Sequence, residues 1–310
     1  MKLVRYTPSN NPHGILRPGR LDGDRVIDLV RTFAAPEDMT AALAVLLPHA
    51  EIWSRPIGRT IPLSDVRLAA PLVPHSLRDF SAFEEDVKSV RTRRKVEMVP
   101  EWYEFPVFYF SNPHAIFGPG DVIPYPKRTQ QLDFELEVAA VIGKQGRDIP
   151  AEEAESYVVG YTIMNDWSAR DILAQEMKVG LGPAKGKDFA TSLGPWIVTP
   201  DELKERRSEK GYDLAMIARR NGTEISHGNW KTIHYSFADM IARASEDVTL
   251  YPGDVIGSGT VGTGCILEFG PDAVGGWLEP GDKVELEIER LGTLANVIGE
   301  PAGSRASRSG

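Results

Sequence analysis

Three carboxylates in the stretch from residue 130 to residue 171 have the types and spacing of a metal site. Glu135 and Glu137 are two residues apart in the apolar run LDFELEVAAVI, and side chains at that spacing point to the same face of a strand. Asp166 follows a second apolar run, YVVGYTIM, where it can meet them. Carboxylate oxygens suit Mg²⁺, Ca²⁺ or Mn²⁺, and the lack of a Cys or His cluster argues against zinc. The spacing predicts a divalent-cation site, with Mg²⁺ as the expected ion.

The two apolar runs are predicted to be strands, from Leu132 to Ile142 and from Tyr157 to Met164. The face of the first run that bears Glu135 and Glu137 continues with alanine and valine. A solvent-facing strand keeps its polar face polar along its length, so this strand is expected to be buried. The alternative is an edge strand with two solvated glutamates, which the apolar flanks and the third carboxylate disfavour.

The sequence SARD after Asp166 predicts the start of a helix, with Ser168 as N-cap and Asp171 reaching back in a capping box. Arg170 then lies in the first turn beside the predicted metal, where it can bind a substrate carboxylate through two hydrogen bonds. Alternatively, Arg170 is a counter-ion to the paired glutamates, and both roles can coexist.

Five motifs carry a resemblance to the fumarylacetoacetate hydrolase family. They are ELEVAAVIGK, YVVGYTIMNDWSARD, GPAKGKDFATSLGPWIV, GSGTVGTG and CILEF, and the resemblance covers roughly residues 75 to 290. The family hosts several reactions, so the resemblance identifies the family and not the substrate. It implies that Glu135, Glu137 and Asp166 bind the metal, and that Asp79 of LRDFSAFEEDV is a fourth ligand.

The resemblance also implies the residues that bind substrate. The second lysine of KGKDFATS and the threonine that follows it correspond to family residues that contact the substrate. Two further positions are implied to face the ligand, one in the aromatic run FPVFYF and one in the Gly-rich segment. The implied substrate-binding residues, with Arg170, are Lys187, Thr191, Thr260 and Tyr109.

Residues 76 to 104 are patterned like a helix with a basic C-terminal end, and the family uses this element as a mobile lid that supplies a catalytic His. Here Asp86 stands seven residues after Asp79, where the family has that His. Glu268 of CILEF corresponds to the carboxylate that orients it. Either Asp86 is a solvated helix residue, or it forms an acid-base pair with Glu268 in which two carboxylates share a proton.

Composition excludes several other classes of protein. A net charge of -9 and a pI near 5.3 argue against a nucleic-acid partner, and RTRRK at 91–95 is the one local exception. A single cysteine, Cys265, excludes an internal disulfide framework. The start MKLVRYTPSN lacks the apolar core of a signal peptide, and no 18-residue apolar run suits a membrane helix. The expected location is the cytoplasm.

The expected fold class is α+β and predominantly β, with a mixed β-roll of the fumarylacetoacetate hydrolase type. We expect a small β-rich N-terminal domain at 1–70, a catalytic domain at 71–300 and a disordered tail at 301–310. Hairpin turns are predicted at Asp22 and Gly23 and at Asn221 and Gly222, and a short helix from Met39 to His49.

The expected function is divalent-metal-dependent hydrolysis of a carbon-carbon bond in a 1,3-dioxo acid that resembles fumarylacetoacetate or an acylpyruvate. One alternative is a 2-oxo acid isomerase, decarboxylase or dehydratase of the same fold. Another is a metal-containing binding protein whose catalysis is impaired by Asp86. The expected partners are a small anionic 2-oxo or 1,3-dioxo acid and a second copy of the chain in a homodimer.

Overall fold

Short β-strands make up most of the regular structure in the computed structural model, which describes residues 1–46 and 58–301. The strands are β1 Lys2–Pro8, β2 Arg17–Asp22, β3 Arg25–Asp28, β4 Thr60–Pro62, β5 Val66–Ala69, β6 Leu77–Phe80, β7 Phe108–Ser111, β8 Ile116–Phe117, β9 Val122–Tyr125, β10 Leu132–Asp133, β11 Leu136–Ile142, β12 Gly146–Arg147, β13 Val158–Asp166, β14 Ser168–Ala169, β15 Thr191–Val198, β16 Ala215–Arg220, β17 Thr223–Asn229, β18 Thr249–Leu250, β19 Val255–Gly257, β20 Lys283–Ile288 and β21 Gly292–Pro301. The α-helices are α1 Leu29–Phe33, α2 Met39–Leu46, α3 Glu84–Arg93, α4 Arg170–Val179, α5 Phe237–Ser245 and α6 Ile266–Phe269. The predominantly β class predicted from the sequence is confirmed.

Most of the strands belong to two sheets. The larger sheet has the strand order β4-β3-β2-β1-β15-β13-β11-β19-β6-β7, with β5 paired to β1 and β8 to β15. The smaller sheet has the order β17-β16-β20-β21-β9. The larger sheet is mixed, because β6 runs parallel to β19 while β11 and β13 are antiparallel.

Strand β11 is buried on both faces, as its sequence predicts. Its even-numbered residues pack into a core that includes Met216 and Leu286 of the smaller sheet. Ala139 and Val141, on the odd-numbered face, pack in a second core with residues of β1, α1 and α2. The alternative of a solvated edge strand is therefore wrong.

The N-terminal strands extend the larger sheet, since Lys2 and Leu3 of β1 pair with Val198 and Ile197 of β15. The division between residues 70 and 71 stays a prediction. The end of the predicted helix at His49 lies outside the described residues. Of the tail predicted at 301–310, Pro301 belongs to β21, and the rest lies outside the described residues. Within residues 1–46 and 58–301, no helix has both the length and the apolar composition to cross a bilayer.

The run predicted as one strand from Leu132 to Ile142 is two strands, and Glu135 lies between them. The Asp133 carboxylate accepts a hydrogen bond of 2.8 Å from the amide of Phe134. The amide of Glu135 donates to the side chain of Asn165 at 2.9 Å instead of to a strand neighbour. These side-chain acceptors replace the ladder bonds that a continuous strand would make.

The predicted capping box at SARD is wrong. Helix α4 has Ala169 as its N-cap, and the Ser168 hydroxyl donates to the carbonyl of Asp166 at 2.9 Å. The Asp171 carboxylate turns away and accepts from the Thr129 hydroxyl at 2.5 Å. The preceding strand β13 extends to Asp166, two residues beyond the predicted end.

The predicted hairpins form. Asn221 and Gly222 connect β16 to β17 with φ of 52° and 82°, the left-handed values that a tight hairpin turn requires. At the first hairpin, Asp22 still pairs with Arg25, so the turn lies one residue later than predicted.

The segment 76–104 begins with a buried strand, not with a helix. Strand β6 pairs with β19 on one side and β7 on the other, and only 84–93 form helix α3. Helix α3 carries acidic residues in its first turn and arginines in its last, as the helix dipole favours.

Candidate metal centre and active site

Four carboxylates converge in the larger sheet. Oxygen atoms of Asp79, Glu135, Glu137 and Asp166 lie within 4.8 Å of one another, and all four side chains are buried. Asp79 comes from β6, Glu137 from β11 and Asp166 from the end of β13, while Glu135 precedes β11. The structure therefore brings together the four residues implied as metal ligands.

Strand pairing accounts for this convergence. Asp79 pairs with Gly257 of β19, which pairs with Ala139, so Asp79 and Glu137 lie two strands apart on one sheet. On the other side of β11, Glu137 pairs with Met164, close to the end of β13. Neighbouring strands are about 4.8 Å apart, which is short enough for carboxylates from three strands to meet.

Gly259 brings the loop after β19 against two of these carboxylates. Its amide donates to Glu137 Oε2 at 3.0 Å and to Asp79 Oδ1 at 3.3 Å. Its φ is 77°, and a Cβ here would lie 2.4 Å from the carbonyl oxygen of Phe80. Only glycine allows this approach. Thr260 is the next residue and is buried in the same loop.

Two cations compensate the charge of the cluster. The Lys187 ammonium donates to Glu135 Oε2 and Asp166 Oδ2. Arg170 Nη1 lies 2.7 Å from Glu135 Oε1, and its Nε donates to Asp133 Oδ2 at 2.8 Å. Arg170 is thus a counter-ion to Glu135 and Asp133, not to Glu137.

Arg170 also keeps a free donor. Among the described residues its Nη2 is buried without a hydrogen-bond partner. The two interpretations of Arg170 are therefore compatible, since one edge of the guanidinium holds protein carboxylates and another nitrogen is left to donate.

Tyr109 is part of the same network. Its hydroxyl donates to Asp79 Oδ2 at 2.9 Å and also contacts Asp166 Oδ2. Burial, and then the nearby Asp166, raise the pKa of Tyr109 well above its usual range, so the hydroxyl stays protonated. Thr191 pairs with Asp166 in the sheet, and its hydroxyl lies 3.3 Å from that of Ser111.

The carboxylates differ in their ease of ionisation. Burial opposes ionisation of Glu135, but Lys187 and Arg170 outweigh it and lower the pKa of this carboxyl. Burial, and then the neighbouring Asp79, raise the pKa of Glu137 well above its usual range. Without a bound metal ion, the Asp79 and Glu137 carboxyl groups are therefore expected to share one proton.

The site passes a simple test of fit to a divalent cation. In the described part of the chain, Glu137 Oε1 and Asp166 Oδ1 are buried without a hydrogen-bond partner. Such orphan oxygens are costly unless a cation or donor meets them. Four hard oxygen ligands in one cluster suit Mg²⁺, Ca²⁺ or Mn²⁺.

Asp86 and Glu268 meet in a second group of side chains whose types can bind a metal ion. Their oxygens and the Cys265 sulfur lie within 4.8 Å of one another. The Glu268 carboxylate accepts from the amides of Thr263 and Gly264, both at 2.9 Å. Because these amides fix Glu268, the position of Asp86 on α3 decides whether the two carboxylates touch.

Both carboxyls of this pair hold their protons more tightly than usual. Burial, and then Glu268, raise the pKa of Asp86 well above its usual range, and burial raises the pKa of Glu268. Asp86 is half-buried and lies beside Glu268, which favours the paired interpretation over that of a solvated helix residue.

Helix α3 is also held at its other end. Arg93 donates to the carbonyl oxygen of Glu268 from Nε at 3.2 Å and from Nη2 at 2.9 Å. The basic run at 91–95 therefore has an internal role in fastening α3 to α6.

The sequence interpretation missed Asp133. Its carboxylate is buried and accepts from Arg170 Nε, from the amide of Ile266 at 2.8 Å and from that of Leu267 at 3.0 Å. The available signal was an acidic residue at the head of an apolar run, two positions before Glu135.

Comparison with known proteins identifies the family. The model of the fumarylacetoacetate hydrolase C-terminal domain matches residues 76–299. The chain belongs to the fumarylacetoacetate hydrolase family, and the predicted fold of that type is confirmed.

Relatives in the family carry different activities. A fumarylacetoacetate hydrolase domain-containing protein 2 homolog of Dictyostelium discoideum is 30% identical, and the alignment covers 96% of this chain and 97% of that protein. A 2,4-didehydro-3-deoxy-L-rhamnonate hydrolase of a Sphingomonas species is 36% identical, over 63% of this chain and 65% of that protein. A mitochondrial oxaloacetate tautomerase of Homo sapiens is 36% identical, over 62% and 59%. The chain thus spans under two thirds of the last two relatives.

Solved structures of the family extend over nearly the whole chain. The fumarylacetoacetate hydrolase of Exiguobacterium antarcticum has a TM-score of 0.74 at 27% identity and covers 96% of this chain and 99% of its own. A 5-carboxymethyl-2-hydroxymuconate delta-isomerase from Mycobacterium smegmatis has a TM-score of 0.69 at 29% identity, with the same coverage. The family therefore includes hydrolases, isomerases and tautomerases on one fold.

Proposed function

We propose that the protein is a divalent-metal-dependent enzyme that hydrolyses a carbon-carbon bond in a 1,3-dioxo acid of the acylpyruvate or fumarylacetoacetate kind. The metal ligands in this proposal are Glu135, Glu137, Asp166 and Asp79. A bound cation would supply positive charge against the adjacent oxygens of the substrate.

One observation carries the proposal. Glu137 Oε1, Asp166 Oδ1 and Arg170 Nη2 belong to one buried, ion-paired cluster and lack partners among the described residues. Two free acceptors and one free donor in one ion-paired cluster match a cation and the carboxylate of a 2-oxo acid that it helps to hold.

Arg170 and Lys187 have different roles in this proposal. Arg170 donates from Nη2 to the substrate carboxylate, which is unchanged in the reaction. Lys187 stabilises the negative charge that develops on the substrate oxygen while the carbon-carbon bond breaks. Thr191, Thr260 and Tyr109 are the remaining substrate-binding residues in the proposal.

The Asp86 and Glu268 pair moves the proton. Water gives one proton to the ionised carboxylate of the pair, and its oxygen adds to the distal carbonyl carbon. The bond from that carbon to the carbon between the two carbonyls then breaks, and the latter carbon takes up the proton. The products are a carboxylic acid and a 2-oxo acid, so atoms and charge balance.

A second function, tautomerisation of a 2-oxo acid, is favoured by the same pair. Two carboxyl groups that share one proton can take the proton from the enol oxygen and deliver a proton to the enol carbon. This reaction needs no activated water. Decarboxylation, dehydration and ligand binding without turnover are the remaining alternatives.

The proposal also includes the metal ion, the oligomeric state, the cellular compartment and the domain boundaries. It takes Mg²⁺ as the ion, a homodimer as the assembly, the cytoplasm as the compartment, and 1–70 and 71–300 as the two domains. The hard oxygen ligands support Mg²⁺, and family membership supports action on a small organic acid.

A substrate panel tests the proposal. Acylpyruvates, fumarylacetoacetate, oxaloacetate and other 2-oxo acids are incubated with the protein and Mg²⁺ or Mn²⁺, and products are followed by absorbance and NMR. Hydrolysis of a 1,3-dioxo acid supports the leading function. Enol-keto exchange of oxaloacetate without cleavage makes the protein a tautomerase. Thermal stabilisation by a ligand without turnover makes it a binding protein.

A further inference from the structure

Lys187 and the divalent cation of the proposed metal centre depend on the same carboxylates. The Lys187 ammonium donates to Glu135 Oε2 and to Asp166 Oδ2. Lys187 is only 7% exposed, so salt in the solvent screens these contacts weakly. Both acids are ligands of the cation in the proposed function, on which this inference rests.

Both oxygens of Glu135 are already held by cationic side chains. Its Oε1 lies 2.7 Å from Arg170 Nη1, and its Oε2 accepts from Lys187. A metal ion bound by Glu135 therefore shares an oxygen with one of these two side chains. Glu137 and Asp166 differ, because each has one oxygen without a hydrogen-bond partner among the described residues.

The two cationic side chains differ in their other partners. Arg170 Nε donates to Asp133 Oδ2 at 2.8 Å, and Asp133 is not one of the proposed ligands. Within the described part of the chain, both ion pairs of Lys187 are with proposed ligands. Its distance of 5.9 Å from the centroid of the Tyr109 ring is at the limit of a cation–π contact. The charge of Lys187 therefore acts mainly on carboxylates that the metal ion also needs.

We propose that Lys187 competes with the divalent cation and lowers the metal affinity of the site. Two positive charges that share ligand oxygens in a buried cluster repel each other. In the loaded site the Lys187 ammonium shares its two acceptors with the cation, which leaves its N–H groups to donate to the substrate oxygen. Metal binding thus prepares Lys187 for the substrate, and the metal ion binds first.

Two variants remove the charge of Lys187. Lys187→Met removes the charge and the hydrogen bonds, whereas Lys187→Gln removes the charge and keeps an amide donor. Lys185→Met is the matched control, because Lys185 belongs to the same loop, is exposed and forms its ion pair with Asp188. All proteins are purified with Mg²⁺, so that a cluster with one fewer cation stays folded. The affinities for Mg²⁺ and Mn²⁺ are then measured by competition with a chelator at constant pH and ionic strength.

We expect Lys187→Met and Lys187→Gln each to bind Mg²⁺ about tenfold or more tightly than the natural protein, because one repelling charge is gone. A side chain that only supports metal ligands has the opposite effect, since its loss weakens metal binding by about 10- to 100-fold. Lys185→Met should bind Mg²⁺ like the natural protein. Without Mg²⁺, both Lys187 variants should melt at a lower temperature than the natural protein, because buried carboxylates lose a counter-ion. Mg²⁺ should then raise their melting temperatures by more than it raises that of the natural protein.

Three outcomes would overturn the competition. If the natural protein binds Mg²⁺ and both Lys187 variants bind it equally or less tightly, Lys187 is not a competitor, while the metal centre of the proposed function stands. An equal gain of affinity in Lys185→Met would indicate a general effect of charge. If the natural protein binds neither Mg²⁺ nor Mn²⁺, the metal centre is overturned together with this inference.

Discussion

Arg170 Nε lies 2.8 Å from Asp133 Oδ2, and the same Asp133 carboxylate accepts the first two amides of helix α6. One buried acid therefore joins Arg170, which begins α4, to the helix that carries Glu268. The proposed substrate anchor and the proposed acid-base pair are held by this single side chain.

Asp133→Asn should be severely destabilising. The amide cannot accept from both α6 amides and Arg170 together, and Arg170 loses half of its buried counter-charge. Breaking a buried ion pair lowers the free energy of unfolding by about 3 kcal/mol or more. Urea unfolding followed by circular dichroism measures this free energy. Glu155→Gln, which breaks an exposed pair with Arg207, should cost about 1 kcal/mol at most. Equal stabilities in these two variants would contradict the joining role of Asp133.

Glu137→Gln should remove divalent-cation binding and leave the fold intact. One hard ligand is lost, and outer-shell partners alone change metal affinity by about 10- to 100-fold, so a direct ligand should cost at least about 100-fold. Calorimetry with Mg²⁺ and Mn²⁺ measures the affinity, and circular dichroism checks the fold. Glu246→Gln, on an exposed pair with Arg243, is the matched control. Unchanged affinity in Glu137→Gln would remove the metal centre from this cluster.

Arg170→Lys and Lys187→Met should separate binding from chemistry. Arg170→Lys keeps the charge beside Asp133 and Glu135 but loses the free Nη2 donor, so KM should rise about tenfold with kcat nearly kept. Lys187→Met should lower kcat by about 100-fold or more, because the ammonium meets charge that develops during the reaction. Steady-state kinetics on whichever substrate of the panel turns over gives both constants. Turnover unaffected by either change would require a different pocket.

Asp86→His should increase hydrolysis of an acylpyruvate about tenfold or more over the natural protein, because an imidazole is a stronger base than a carboxylate. The measurement is kcat/KM against pH for the natural protein, Asp86→His and Asp86→Asn. Robust natural activity that survives Asp86→Asn would make Asp86 a bystander. Activity lost in Asp86→Asn and kept in Asp86→His would make Asp86 the working base.

The same variants report on the proton shared by Asp86 and Glu268. The raised pKa of Asp86 means that the folded protein binds a proton more tightly than the unfolded chain. The stability that this proton confers is complete below about pH 4, the unfolded value for Asp, and is lost as pH rises through the folded value. Asp86→Asn should therefore be more stable than the natural protein at pH 7, and this difference should disappear as pH falls below about 4.

Local features of the fold could be predicted from the sequence because local chemistry determines them. The turn at Asn221 and Gly222 needs left-handed backbone that these residues allow, and β11 shows two apolar faces in its own letters. The prediction that Ser168 caps helix α4 was wrong because the nearby backbone amides bond to carbonyl groups of residues distant in the sequence. The amide of Ala169 donates to Gly186 and that of Arg170 to Gln131, which leaves the Ser168 side chain outside the helix.

Part of the carboxylate cluster could be predicted from local sequence patterns, and the rest could not. Glu135, Glu137 and Asp166 stand out as acids in apolar runs, but Asp79 reaches them through a parallel pairing of β6 with β19, which lies far away in the sequence. No local pattern gives that pairing. The role of Asp133 also depends on contacts with residues more than 30 positions away.

The hydrogen bonds from Arg93 to the Glu268 carbonyl couple the contacts at the two ends of α3 to one residue of α6. Helix α3 carries Asp86 at one end and Arg93 at the other, and both ends reach the same residue of α6. Any movement that lifts α3 breaks the carboxylate contact and the arginine bonds together, and separation lets Asp86 release its proton to solvent. Separation of the two helices and exchange of this proton would thus be a single event, and in the proposed enzyme the rate of product release would depend on pH even when the chemical step does not.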